Sequence, residues 1–252
     1  MEIINLDPVP QKYLPAFDTL TPCPPASPQA AQLSDAWMKR FPHYVDLLNI
    51  MRDSRRFEAD FKIKVIRTRR KIYCGAGFGT SYILPLLHRQ LSLPRLQLVD
   101  WGTESHIVEA CRVGCTLHLS EIRRLFGMGH IYSRVLTQKM RFCLENCPSN
   151  WGDLELLRTW CLAMGGMESM SKEQRTWYIQ EMKKSVQSLG LDTWKEVEKE
   201  LKEVLWFNEA HTALFWEFVN GVDEYEKTAS THLDAYGRDR YVEQYLGSSK
   251  VL

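Results

Sequence analysis

The chain has 252 residues, 44% of them hydrophobic and 25% charged, with 32 basic and 31 acidic side chains and a formal net charge of +1. That composition is ordinary for a globular protein of one large or two small domains, and the balanced charge gives no electrostatic reason to seek a polyanionic partner. No apolar run approaches the roughly 20 residues of a membrane span, and the first residues lack the charged and apolar regions of a secretory signal, so an intracellular location, nucleus or cytoplasm, is expected.

Residues 1–33 hold Pro8, Pro10, Pro15, Pro22, Pro24, Pro25 and Pro28. Each fixes φ and removes a backbone donor. The stretch is expected to be an extended arm, free or draped over a helical domain of residues 34–246, with 247–252 as a tail. A first helix is predicted from Ser34, as its cap, to about Arg52, with Trp37, Phe41, Val45, Leu48 and Met51 at helical spacing and Pro42 as an interruption. Residues 55–72 bring Arg55, Arg56, Lys62, Lys64, Arg67, Arg69, Arg70 and Lys71. Glu58 and Asp60 dilute that charge, and a solvated helix face backed by Phe57, Phe61, Val65 and Ile72 is favoured over a nuclear-import or phosphate-contacting patch. Gly75, Gly77 and Gly79 could cradle a phosphate, but they lack both the dinucleotide and the P-loop spacing, so close helix packing is expected and no cofactor is assigned. Pro85 and Pro94 should limit the helix of the Leu-rich stretch 81–98.

Glu104–Phe126 is the most regular helix of the upstream half, with Val108, Cys111, Cys115, His118 or Leu119, Ile122 and Phe126 in one stripe. Cys111, Cys115 and His118 project to one side and could ligate a metal, but no fourth ligand is nominated and both thiols lie on the apolar stripe. Core packing is expected and no metal is assigned. Cys143 and Cys147 repeat the four-residue spacing near the end of a predicted helix from His130 to Asn146, which Pro148 should end. Seven cysteines, an odd number, fit reduced thiols better than a closed disulfide framework.

From Trp151 to Asn220 four helices are predicted in succession. Ser171 with Gln174 and Thr193 with Glu196 fit capping boxes, and Asn208 can cap the last helix. Gly165–Gly166 and Gly190 are read as helix ends. Leu154, Leu157, Cys161 and Met164, then Trp194, Val197, Leu201, Val204 and Leu205, recur at three- and four-residue steps, so each helix has a face to bury. The fold class that follows is all-α, a multi-helix bundle or helical array. Residues 222–245, rich in charge and tyrosine, suggest a weaker amphipathic helix.

The ordered motifs W-G-D-L-x-L-L-R-T-W from Trp151, A-M-G-G-M-E-S from Ala163, W-Y-I-Q from Trp177, L-G-L-D-T-W-K-E-V from Leu189 and V-L-W from Val204 resemble the C-terminal half of the fungal-specific transcription-factor domain. The helix beginning Glu109-Ala110-Cys111-Arg112 resembles an upstream helix of that domain, and the likeness covers roughly residues 70–220. It implies an all-helical regulatory domain acting in transcriptional control of fungal metabolism. The six clustered cysteines of that family's zinc module do not occur in this sequence, so direct DNA binding is not expected. The expected partners are a full-length regulator, a second copy of the chain, or an apolar small molecule.

An alternative is an enzyme that reuses the helical scaffold to bind and convert an apolar secondary-metabolite intermediate, of cyclase or isomerase type; a degenerate, inactive paralogue is the third reading. The catalytic candidates are His106 with Glu109, one helical turn apart, and His211, which lies near Trp206 and Phe207. Trp160, Trp177, Trp206 and His211 are the candidates for lining a ligand pocket.

Overall fold

A computed structural model describes residues 26–68, 76–93, 102–126, 128, 133–148 and 151–225, and within these the side chains of 63–68, 76–81 and 222–225 are left aside. Among the described residues the protein is all helical, without a strand. The helices are α1 (Pro28–Arg40), α2 (Val45–Thr68), α3 (Ala76–Ser92), α4 (Thr103–Leu125), α5 (Ser133–Glu145), α6 (Glu155–Met167), α7 (Lys172–Ser188), α8 (Trp194–Val204) and α9 (Asn208–Tyr225). Short 3-10 turns at Pro42–Tyr44 and Gly152–Leu154 lead into α2 and α6. The predicted residues 222–245 fall outside the described residues beyond Tyr225, as do His130 and Ile72.

Two helices form the axis of the array. α4 packs against α3, α5, α6 and α9, and from His106 to Ile122 every residue but Arg112 is buried. The apolar stripe expected there is therefore narrower than the surface actually covered. α6 touches α4, α5, α7, α8 and α9, and is buried from Leu157 through Met167. It carries Trp160, Cys161, Leu162 and Met164 into the main core, with Trp151, Tyr178, Leu201, Trp206 and Phe218 around them. A second cluster joins Phe57 and Phe61 of α2 to Leu86 of α3, Ile122 and Phe126 at the end of α4, and Phe207 before α9. Phe57 stacks on Phe207 at 5.8 Å.

Close approach in this axis is achieved by glycine. A Cβ placed on Gly114 of α4 would stand 2.6 Å from the Trp160 ring; one on Gly165 would meet Tyr178 at 2.4 Å, and one on Gly166 would meet Phe218 at 2.2 Å. Gly165 and Gly166 thus lie within α6 and serve its packing, which corrects their reading as a helix end. Gly166→Ala is expected to destabilise the fold by up to about 2 kcal/mol. Alanine's helix propensity returns roughly 1 kcal/mol, but overpacking against a buried ring costs about 1–3. The check is a lower urea midpoint at an unchanged slope.

Gly190 is a true terminator. With φ of 66° it follows α7, the Leu191 N–H reaches the Val186 carbonyl and the Gly190 N–H reaches that of Gln187, the two bonds of a Schellman motif. Thr193 and Glu196 make the full capping box of α8. At α7 the Ser171 hydroxyl accepts from the Gln174 N–H.

Other sequence expectations need correction. α1 begins at Pro28, inside the stretch read as extended, and its cap is Ser27, whose hydroxyl accepts from the Ala30 N–H. Ser34, the predicted cap, lies mid-helix and donates to the Ala30 carbonyl. The interruption expected at Pro42 is a full break: the helix ends at Arg40 and, after a 3-10 turn, restarts at Val45. Pro85 lies inside α3 without ending it; burial of Ile83, Leu86 and Leu87 around it offsets the missing donor. Asn208 is exposed and is the first residue of α9, whose first-turn N–H groups, those of Ala210 and His211, donate to the Phe207 carbonyl instead.

Candidate functional site

A cleft of about 580 Å³ opens between α1, α2 and the end of α8. One wall is the face of α1 that carries Ser27, Ala30, Ala31 and Ser34, and the opposite wall carries Leu48, Met51, Arg52 and Arg55 of α2. Both sets follow the i, i+3, i+4, i+7 spacing that gathers side chains on one helical face. The α1 set is small and leaves the space between the two walls unfilled. Trp37, Leu157 and Val204 border the cleft but are almost fully buried, and Lys202 and Glu203 also line it. Arg55 is a structural cation: its Nε donates to the Val204 carbonyl at 2.9 Å and its Nη2 to the carbonyls of Glu203 and Val204. It thereby satisfies the open carbonyls at the C-terminus of α8.

Three of the four pocket candidates sit elsewhere, and together. His118 of α4 and His211 of α9 stack face to face, ring centroids 4.6 Å apart and 3° from parallel. Trp160 flanks His118 at 6.3 Å and Trp206 flanks His211 at 5.3 Å. The Trp160 indole N–H donates to the Leu205 carbonyl and that of Trp206 to the Thr212 hydroxyl. All four rings are buried. His211 Nδ1 bonds to the Phe207 backbone at the start of α9, while His118 Nδ1 and His211 Nε2 have no hydrogen-bond partner. Burial pushes His211 down to about 4, against a smaller opposing effect of the Phe207 and His118 backbones. Burial, and then the neighbouring imidazole, pushes His118 well below the usual range. These four rings pack against one another in the interior. The fourth candidate, Trp177, is apart from them: half-buried on α7, against Tyr178 and beneath the Arg141 guanidinium at 5.0 Å.

His106 and Glu109 lie one turn apart on the same face of α4. The Glu109 carboxylate accepts two bonds from Arg112, at 2.7 and 2.6 Å, and a further one from Lys139. Burial would raise its pKa, but these cations outweigh burial and hold the carboxyl below the usual range. His106 meets the Phe142 ring edge-on at 5.7 Å. The hollow beside Glu109 and Arg112 measures about 80 Å³, too small for a metabolite.

The five described cysteines, Cys111, Cys115, Cys143, Cys147 and Cys161, are all free and buried. Burial pushes Cys143 and Cys147 up to about 12, and Cys111 and Cys115 upward too, so these thiols are neutral and poor nucleophiles. Cys147 donates to the Cys143 carbonyl. His118 pairs with His211 rather than joining Cys111 and Cys115, and among the described residues no three His, Cys, Asp or Glu side chains are placed to share a metal. Nor is any described helix long and apolar enough to cross a membrane.

The cleft escaped the sequence because it needs three helices to form. Its one readable signal was the small-residue spacing from Ser27 to Ser34, which has meaning only once the helix is known to start at Pro28. Comparison of the chain with protein-family profiles, with characterised proteins and with solved structures finds no match.

Proposed function

We propose that the chain is a transcription-regulator-like helical domain that works through the α1–α2–α8 cleft. There it takes a protein partner or an apolar small molecule, in control of fungal secondary metabolism and without touching DNA itself. The observation that carries this reading is the cleft, an opening of about 580 Å³ lined by both apolar and polar side chains, the size of an ordinary recognition site. The order of motifs from Trp151 to Trp206, similar to that of the fungal regulatory domain, supports it from the sequence side. The enzyme reading draws less support, because His211 and His118 are closed inside packed aromatic rings and Glu109 is held by two cations.

Ala31 is exposed on the α1 wall, so Ala31→Trp fills the cleft from one side and leaves the core untouched. The variant is expected to fold with unchanged helical content and to shift target transcripts as far as deletion of the gene does. Transcripts that stay at wild-type level, or purified protein that converts an intermediate accumulating in the deletion strain, would overturn the proposal.

A further inference from the structure

We infer that the outward ridge of α5 is a self-association surface, on which the chain pairs with a second copy of itself about a two-fold axis. Val135 and Phe142 on this ridge are 64% and 51% exposed, more than any other large apolar side chain of the described residues except Met170. Apolar residues scattered singly over a surface are ordinary. These two stand seven positions apart, which sets them on one line along the helix, with exposed Gln138 between them. The inner side of α5 already has its role, since Met140, Cys143 and Leu144 belong to the main core. The ridge has none in the fold of one copy.

Spacing and charge select a second copy as the occupant. When two α5 helices run antiparallel, a two-fold axis between Gln138 and Lys139 sets Val135 of each copy against Phe142 of the other, because the axis lies midway between them. The same apolar pair is then made twice. The two flanks of the ridge carry opposite charge. On one flank α4 begins: His106 meets Phe142, Glu109 holds Lys139, and Glu104, just ahead of them, is 66% exposed and only loosely held by Arg40 at 3.6 Å. The other flank faces α7, where Arg141 covers Trp177, and exposed Arg134 lies on the same line as Arg141. A two-fold axis brings opposite flanks together, and the antiparallel direction brings the Arg134 end of one α5 to the Phe142 end of the other, beside the start of α4. Arg134 of each copy therefore meets Glu104 of the other. With 13 residues α5 is about 20 Å long. Two such ridges cover less than the roughly 1,200 Å² of a stable interface, so the dimer is reversible, with a dissociation constant on the order of 10 μM. No α5 residue lines the α1–α2–α8 cleft, which stays open in the dimer.

Sedimentation equilibrium of the full chain between about 1 and 100 μM should show the mass rising from monomer toward dimer. Phe142→Asp is expected to weaken the association at least about tenfold, whereas Leu91→Asp, the same change at a comparably exposed residue of α3, should leave it unchanged. Cross-linking reads the register without a charged variant. Changing Cys23 and Cys74 to serine leaves the five described cysteines, all buried. In that background Val135→Cys and Phe142→Cys chains, mixed and oxidised with diamide, should form a disulfide dimer holding one of each. Either variant alone should not, because like positions stand about 10 Å apart along the paired helices, beyond disulfide reach. A mass that stays monomeric over the whole range overturns the inference. So does association that Phe142→Asp leaves intact or Leu91→Asp abolishes, or cross-linking as fast within one variant as between the two. These readouts involve neither the cleft nor transcripts, so failure here is distinct from failure of the proposed function.

Discussion

Trp160→Ala is expected to cost the fold about 4 kcal/mol, a large part of the stability of a typical domain. The ring is fully buried in the middle of α6, lies over Gly114 of α4 and flanks His118. Its removal leaves a cavity at the crossing of the two axial helices, and it strips the Leu205 carbonyl of a donor at 2.6 Å. Leaving a buried acceptor unsatisfied adds roughly 1–3 kcal/mol to the loss of packing unless water enters. Urea unfolding followed by far-UV circular dichroism measures the total. A double-mutant cycle separates the two causes. Gly114→Ala alone should destabilise, since its Cβ would press on the Trp160 ring, yet it should be tolerated in the Trp160→Ala background, where the added methyl enters the cavity. A coupling energy near zero between the two positions would contradict the packing described for α4 and α6.

The helices that were easiest to read in the sequence are those whose signals are local. Thr193 and Glu196 cap α8 because both partners lie within one turn, and Gly190 ends α7 because the left-handed backbone it adopts is a property of its own residue. Gly165 and Gly166 carry the same letter and a different reason: they are small because Tyr178 and Phe218 lie against them, and those rings come from other helices. Ser27 and Ser34 were equivalent as caps by type, and Pro28, favoured at the first helical position, is what distinguishes them. His118 was grouped with Cys111 and Cys115 from spacing on one helix, although its real neighbour, His211, approaches from α9. The fold class was legible because burial of amphipathic faces is a summed property of many residues. The cleft and the imidazole stack were not, because each depends on which faces of distant helices meet.

That stack makes stability depend on acid. A histidine whose folded pKa lies below its unfolded value of about 6.5 penalises the folded state wherever the unfolded chain is protonated and the folded one is not. Above pH 6.5 both states are neutral and the pair adds no pH dependence. As the pH falls below 6.5 the unfolded chain takes up protons that His118 and His211 refuse, and stability declines by up to about 1.4 kcal/mol per pH unit for each ring. His211, down to about 4, accounts for roughly 3 kcal/mol lost between pH 6.5 and pH 4. His118, also depressed, steepens the fall, because a proton on either ring would face the other at 4.6 Å. His106 is lowered by burial as well and contributes in the same direction, whereas the depressed Glu109 carboxylate begins to lose its contribution only at lower pH. Urea midpoints at pH 7, 6, 5 and 4.5 should therefore drop steadily in the native protein. His211→Gln cannot titrate, so the slope across that window should fall even if the variant is less stable at pH 7. An unchanged slope in His211→Gln would mean that the acid sensitivity arises elsewhere and that the stacked rings are not the neutral pair described here.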